Sequence, residues 1–133
     1  MKEIQRIEHV GIRVRELNRS REFYEKLGFE FLLGPVGPEP VAIMEHPSGV
    51  NINFILNATA DSPAENILMD VDTKYPGYTH MALEISDYDS AMAHVRDLGF
   101  DISGEVEYEG ARFFFIRDPD NNVIEFHQPA AKV

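Results

Sequence analysis

The sequence predicts an α+β fold built from two βαβββ modules in tandem. Three observations support this prediction. Residues 9–31 align with residues 80–102 without a gap at an offset of 71, which places His9 over His80. Residues 46–54 align with residues 118–126 at an offset of 72. In both copies apolar residues first alternate with polar ones, then recur at helical spacing, and then alternate again.

The first strand and the helix of each module follow from that periodicity. Apolar and polar residues alternate from Val10 to Val14 and again from Met81 to Ile85, as they do in a strand covered on one face. The helix after each strand is predicted from positions i, i+3, i+4 and i+7, which are Ser20, Phe23, Tyr24 and Leu27 in the first copy and Ala91, His94, Val95 and Leu98 in the second. Gly28 and Gly99 come directly after the last turn, where a left-handed residue often ends a helix.

Three short strands complete each module. In the second module they are predicted at about 102–107, 111–117 and 123–127, with Gly110 and residues 118–122 in the turns. The modules then span about 4–56 and 78–128, and a polar linker with prolines and glycines, residues 57–77, joins them. A chain of 133 residues fits one domain that contains both modules.

Composition excludes several classes of protein. The formal net charge of −11 argues against nucleic acid, because binding phosphates needs a cationic surface. The chain has no apolar run of about 18 residues, so we expect no membrane span. It has no cysteine and begins without the apolar segment of a signal peptide, and we therefore expect a cytoplasmic protein without disulfides or thiolate metal sites.

A possible metal site emerges from the faces of the predicted strands. Because alternate side chains point to opposite faces, His9, His80, Asn53 and Glu125 are all expected on the face away from the helices. A carboxylate in the middle of an apolar strand, as at Glu125, is costly unless a positive group pairs with it. Two histidines and one carboxylate form a ligand set for a divalent metal with open positions. The alternative is that both histidines are ordinary core or rim residues.

The quoted segments "IEHVGIRV", "SREFYEKLGF", "YTHMALEI", "LGFDI" and "FFIRDPDNNVIEFH" resemble the vicinal oxygen chelate superfamily. That superfamily includes glyoxalases, extradiol dioxygenases, fosfomycin and bleomycin resistance proteins, and methylmalonyl-CoA epimerases. The resemblance implies that the two modules form a curved, half-open mixed β-barrel around a metal, with the helices outside. It also implies ligands from the first and last strands of each module, which are His9, Asn53, His80 and Glu125.

Asn53 departs from the pattern of the family. Typical glyoxalases and epimerases have Glu or Gln at that position, whereas asparagine is shorter, cannot act as a base and binds metals weakly. We therefore expect His9, His80 and Glu125 to hold one divalent ion of Fe, Mn, Zn or Ni, and Asn53 to contact substrate. The expected reaction is that of a glyoxalase-like lyase or isomerase, or of a dioxygenase. The alternative function is a metal-free protein of the bleomycin-resistance type that sequesters a ligand.

Further candidates surround this predicted site. Glu125 and His127 are the expected catalytic residues, and Glu45 is a second candidate base. Arg112 and Phe114 share one strand face and are candidates for binding an anionic substrate, and Tyr108 for the rim of the pocket. The expected partner is a small-molecule substrate, without nucleic acid or membrane. The resemblance also favours a homodimer.

Overall fold

The computed structural model describes residues 1–132, and within them it has two βαβββ modules, as predicted. The first module consists of β1 (Val10–Arg13), α1 (Leu17–Lys26), β2 (Glu30–Val36), β3 (Val41–Glu45) and β4 (Asn51–Ile55). The second consists of β5 (His80–Glu84), α2 (Tyr88–Asp97), β6 (Gly104–Tyr108), β7 (Ala111–Arg117) and β8 (Val123–Gln128). The α+β class and the repeated unit are therefore confirmed.

Each module folds into a mixed sheet with the same strand order. The orders are β1-β4-β3-β2 and β5-β8-β7-β6. The first strand of each module therefore lies at an edge of its sheet and is parallel to its neighbour, the last strand of that module. Gly11 lies opposite Asn53 in the first sheet, and Ala82 lies opposite Glu125 in the second. The offset of 71 relates Gly11 to Ala82, and the offset of 72 relates Asn53 to Glu125. The alignment of the repeats therefore predicts that the two pairs are equivalent, and the strand register agrees.

Helix α1 covers one face of the first sheet. Its buried residues are Ser20, Phe23 and Tyr24, and the ring centroid of Tyr24 lies 5.4 Å from that of Phe54. The strand residues beneath the helix are fully buried, namely Ala42, Met44, Ile52 and Phe54. This face contains the core of the module, and the alternating residues, Asn53 among them, point to the other face.

Helix α2 buries a different set of residues from the one predicted. His94 is exposed, and the buried residues are Tyr88, Met92 and Val95. The Tyr88 ring packs edge-on against Phe114 with a centroid distance of 5.4 Å. His94 is the repeat equivalent of the buried Phe23 but faces solvent, and on α2 the large buried ring is that of Tyr88 instead.

The predicted linker is partly folded against the modules. The chain forms two compact units, Met1–Ser62 and a second that begins at Pro63. Between β4 and β5 there is no helix or strand, yet Asp70 accepts two hydrogen bonds from Arg117, at 2.6 and 2.8 Å. Asn66 and Asn121 add two side-chain-to-backbone bonds that join this segment to the β7–β8 hairpin. Among residues 1–132 no helix is long and apolar enough to cross a membrane.

Candidate metal and substrate site

Three polar side chains lie together on the face of the second sheet that α2 does not cover. In the registers of β5, β7 and β8, His80 is opposite Val123, Phe115 is opposite Glu125, and Phe113 is opposite His127. Residues paired in this way point to the same face, so the face carries His80, Glu125 and His127 beside two phenylalanines. The sequence prediction that His80, Glu125 and His127 share one face is correct for this module.

Glu125 is the buried centre of the group. It is 7% exposed, and both of its carboxylate oxygens have partners. Oε1 lies 3.0 Å from His80 Nε2, and Oε2 lies 2.6 Å from His127 Nδ1. A carboxylate removed from water needs such partners, because its desolvation is otherwise uncompensated.

Two aromatic rings border the group. Phe113 stacks on the His127 imidazole, with a centroid distance of 4.9 Å and an angle of 10° between the planes. Phe115 meets the His80 ring edge-on at 5.8 Å and 77°. The phenylalanines restrict the orientations of both imidazoles and give this face an apolar wall.

Both candidate metal-binding histidines make the same local contact. His9 Nδ1 lies 3.0 Å from Glu8 Oε2, and His80 Nδ1 lies 2.9 Å from Thr79 Oγ1. In the metal-free protein the Nε2–H of His80 donates to the Glu125 carboxylate, and Nδ1 accepts from the Thr79 hydroxyl. A metal ion that binds Nε2 takes the place of that proton, and Nδ1–H then donates to the neighbouring oxygen. Glu8 and Thr79 are themselves related by the offset of 71, and the sequence analysis missed them. The signal was present, because an oxygen-bearing side chain precedes the histidine in both copies.

The donors of the second module are of types that bind a divalent metal ion, an imidazole nitrogen of His80 and a carboxylate oxygen of Glu125. The two atoms are 3.0 Å apart, which is the distance of a hydrogen bond. Within residues 1–132, however, no group of three or more His, Asp or Glu side chains forms a cluster that could hold an ion. His9 belongs to the first unit, and its role as the third ligand stays a prediction.

Asn53 and Tyr108 occupy strand positions in different modules. Asn53 is half-buried in β4, between Gly11 of β1 and Ile43 of β3, on the face that α1 leaves uncovered. Tyr108 ends β6 opposite Ala111 and is 65% exposed. Their predicted contacts with substrate stay predictions. Glu45 lies opposite Asn51 in the first sheet.

Arg112 and Phe114 share a face of the second sheet, as predicted, and this face is the one opposite to Glu125. The complete burial of Phe114 contradicts its predicted contact with substrate, and the substrate contact of Arg112 stays a prediction. Phe114 has no exposed surface and packs between Tyr88 and Phe126. The Arg112 guanidinium lies 4.0 Å from the centroid of the Tyr88 ring and bridges to Glu107 at 3.1 Å. A recess of about 350 Å³ beside Arg112 also contains Glu105 and Glu107, whose charges oppose an anion.

The burial of Tyr88 is reflected in its pKa. Removal from water raises the pKa of the Tyr88 phenol, and the hydrogen bond that its hydroxyl donates to Glu105, at 2.9 Å, raises it further. Tyr88 therefore stays a neutral donor at physiological pH and contributes to the helix-side core.

Comparison with known proteins identifies the family. Residues 6–126 match the model of the Glyoxalase/Bleomycin resistance protein/Dioxygenase superfamily, and the chain belongs to that superfamily. The repeated modules and the position of Glu125 in the last strand agree with the resemblance noted in the sequence. None of the curated proteins that were compared matches the chain.

Solved structures share the fold at low identity. The glyoxalase family protein from Enterococcus faecalis is 22% identical with a TM-score of 0.74, over 93% of this chain and 98% of that one. TnmS3, an antibiotic binding protein from Streptomyces sp. CB03234, is 19% identical with a TM-score of 0.73, over 96% and 98%. A mutant of the fosfomycin resistance protein FosX from Listeria monocytogenes, complexed with Mn(II) and 1S,2S-dihydroxypropylphosphonic acid, is 18% identical with a TM-score of 0.70, over 96% and 94%.

Proposed function

We propose that this protein is a divalent-metal-dependent enzyme that binds a small substrate through vicinal oxygens. The ligands are His9, His80 and Glu125. The observation that carries the proposal is the shared arrangement of the two histidines, in which Nδ1 contacts the preceding side chain, together with the 3.0 Å approach of His80 Nε2 to Glu125. The Mn(II) complex of FosX, a protein of the same fold, is consistent with it.

Different residues of the chain would bind the metal, contact the substrate and accept a proton. When bound, the metal supplies Lewis acidity, which polarises a carbonyl and stabilises an enolate or oxyanion. His80 and Glu125 hold the ion on the second sheet, and Asn53 donates an amide hydrogen bond to a substrate oxygen. A glyoxalase-type reaction also needs a base, which Asn53 cannot provide. His127 Nε2, unprotonated while Nδ1–H donates to Glu125, is a candidate to take that proton, and Glu45 is the other.

A second candidate function is metal-free binding of a ligand. The observation that favours it is the aromatic wall of Phe113 and Phe115, whose ring centroids are 5.9 Å apart. TnmS3, which has the same fold, is an antibiotic binding protein. Under this reading the contacts of His80 and His127 stabilise the buried charge of Glu125 without a metal.

Metal analysis separates the two functions. The purified protein is stripped with a chelator, and Mn(II), Fe(II), Zn(II) and Ni(II) are titrated one at a time by calorimetry. We expect one ion per chain and a loss of affinity of at least tenfold in His80→Ala and Glu125→Gln. His94→Ala, which removes an exposed histidine from α2, is the control and keeps the affinity of the wild type. Equal affinity in all four proteins contradicts the metal site and favours the binding function.

The metal that copurifies also indicates the reaction. Stoichiometric iron favours a dioxygenase, because the reaction with O₂ needs a redox-active ion, whereas nickel or zinc favours a lyase or isomerase.

A further inference from the structure

We propose that His127 is a positioning residue for the Glu125 carboxylate, and that Phe113 holds the His127 ring in the orientation this requires. The inference rests on the proposed function, because it concerns the same carboxylate. It assigns unlike roles to the two oxygens of Glu125. Oε1 is the metal ligand, and Oε2 is the oxygen by which the protein fixes the group.

His127 and Glu125 are in direct contact on β8. These residues are two positions apart on β8, so their Cα atoms are separated by roughly 6.6 Å along the strand. His127 Nδ1 nevertheless lies only 2.6 Å from Glu125 Oε2, which requires the two side chains to lean toward each other. The distance is that of a short, charge-assisted hydrogen bond to a carboxylate.

The Phe113 ring restricts the orientation of the His127 imidazole. Phe113 is opposite His127 in the register of β7 and β8, and the two rings are nearly parallel at 4.9 Å. Rotation of the imidazole out of this plane loses the stack. Phe113 therefore keeps Nδ1 directed along the strand toward Glu125.

The contact at Oε2 of Glu125 also affects Oε1, the other carboxylate oxygen. Since Oε2 is held by His127, the carboxylate is fixed with Oε1 toward His80 Nε2. A ligand fixed beforehand loses less rotational entropy when an ion binds, and removal of such an outer partner weakens metal binding by about 10- to 100-fold in other proteins. Glu125 is also nearly inaccessible to water, so water is a poor substitute for the His127 donor.

The experiment measures binding of Mn(II) alone to the full chain, by the electron paramagnetic resonance signal of free Mn(II). It compares the wild type, Glu125→Gln as the variant that loses a ligand, and four further variants. His127→Phe keeps a ring that can stack on Phe113 and removes the donor. We expect it to weaken binding about tenfold, within the range for such partners. His127→Asn places an amide N–H near the position of Nδ1, and it should recover most of that loss. Phe113→Leu should give a smaller loss, and circular dichroism verifies that every variant is folded.

The fourth variant, the double mutant Phe113→Leu/His127→Phe, tests the link between the two residues. If Phe113 acts through His127, the double mutant binds Mn(II) no more weakly than His127→Phe alone. A merely structural effect of Phe113 gives additive losses instead, and that result overturns its assigned role.

Two further outcomes overturn the role of His127. In the first, His127→Phe binds Mn(II) as the wild type does while Glu125→Gln binds it weakly, so the metal site stands and the positioning role does not. In the second, His127→Asn is as weak as His127→Phe, and the hydrogen bond is not the cause. If Glu125→Gln also binds like the wild type, the proposed function itself has failed.

Discussion

At the scale of single residues, the neighbour that precedes each histidine is as informative as the histidine. A histidine on a strand face is not evidence of a metal, because rim and core histidines are common. The distinguishing feature is that Glu8 and Thr79 occupy equivalent repeat positions and both contact an Nδ1 atom. Residue types alone indicated the candidates His80 and Glu125, but only the structure revealed that Nδ1 of each histidine contacts the preceding side chain.

The variant Thr79→Val tests the contact between Thr79 Oγ1 and His80 Nδ1. Valine matches the shape of threonine but has no hydroxyl, so the Nδ1 atom of His80 loses its hydrogen-bond partner. We expect the affinity for Mn(II) to fall about tenfold, at the low end of the range for residues that hydrogen-bond to a metal ligand. Calorimetry on the metal-free protein measures it. Thr79→Ser, which keeps the hydroxyl, is the matched control, and equal affinities in the two variants contradict the assignment.

The face on which Arg112 and Phe114 lie depends on the pairing of neighbouring strands. The sequence indicates correctly that these two residues share a face, because they are two positions apart in one strand. It does not indicate which face, since that depends on the register of the β7–β8 hairpin. A shift of one residue exchanges the faces of a whole strand. The observed register places Phe115 opposite Glu125, and hence Phe114 in the core.

At the scale of elements, the repeat predicted the strands better than the helix faces. The strands follow from alternation, and both copies keep it. The alignment fails on α2, because it transfers the helix face of Phe23 and Tyr24 to His94 and Val95. Helix α2 instead buries Tyr88 and Met92 beside Val95. Tertiary packing against Phe114 determines this face, and the helical period alone does not indicate it.

The predicted linker was also more structured than its composition suggested. Its polar residues are those of a loop, yet Asp70, Asn66 and Asn121 bond it to the β7–β8 hairpin. These bonds join residues about 50 positions apart, and no local pattern predicts such pairs. The hydrogen bonds from Arg117 lower the pKa of the Asp70 carboxyl below its ordinary value, and Asp70 in turn raises the pKa of Arg117.

The sign of the pKa shift predicts how this segment responds to pH. A carboxyl whose pKa is lowered by folding stabilises the docked segment above its unfolded pKa, and loses that contribution as pH falls through the folded pKa. We therefore expect Asp70→Asn to increase hydrogen exchange of the amides in residues 64–71 at pH 7, while acidification of the wild type below the Asp70 pKa produces the same increase. Mass spectrometry of that peptide measures the exchange.

Asp72→Asn is the matched control for this experiment. It removes the same charge two residues away, from a side chain that is exposed. Comparison of the two variants at each pH cancels the intrinsic pH dependence of exchange. Equal exchange in Asp70→Asn and Asp72→Asn contradicts a docking role for Asp70.

At the scale of the whole molecule, the three proposed metal ligands are divided between the two repeats. The chain divides into one unit that contains His9 and another that contains His80 and Glu125. The proposed function therefore predicts that metal binding depends on residues of both units. The net charge of −11 gives a cation a favourable long-range potential, which salt screens.

Metal-dependent stability tests whether both units take part. A ligand present at 100 times its Kd stabilises the folded state by about 2.7 kcal/mol, which for a chain of this size raises Tm by roughly 10 °C. We expect saturating Mn(II) to produce a shift of that order in the wild type, and most of it to disappear in His9→Ala and in Glu125→Gln alike. Calorimetric scans with and without a chelator measure the shift. If His9→Ala keeps the full shift while Glu125→Gln loses it, the ion is held within the second unit and the assignment of His9 is wrong.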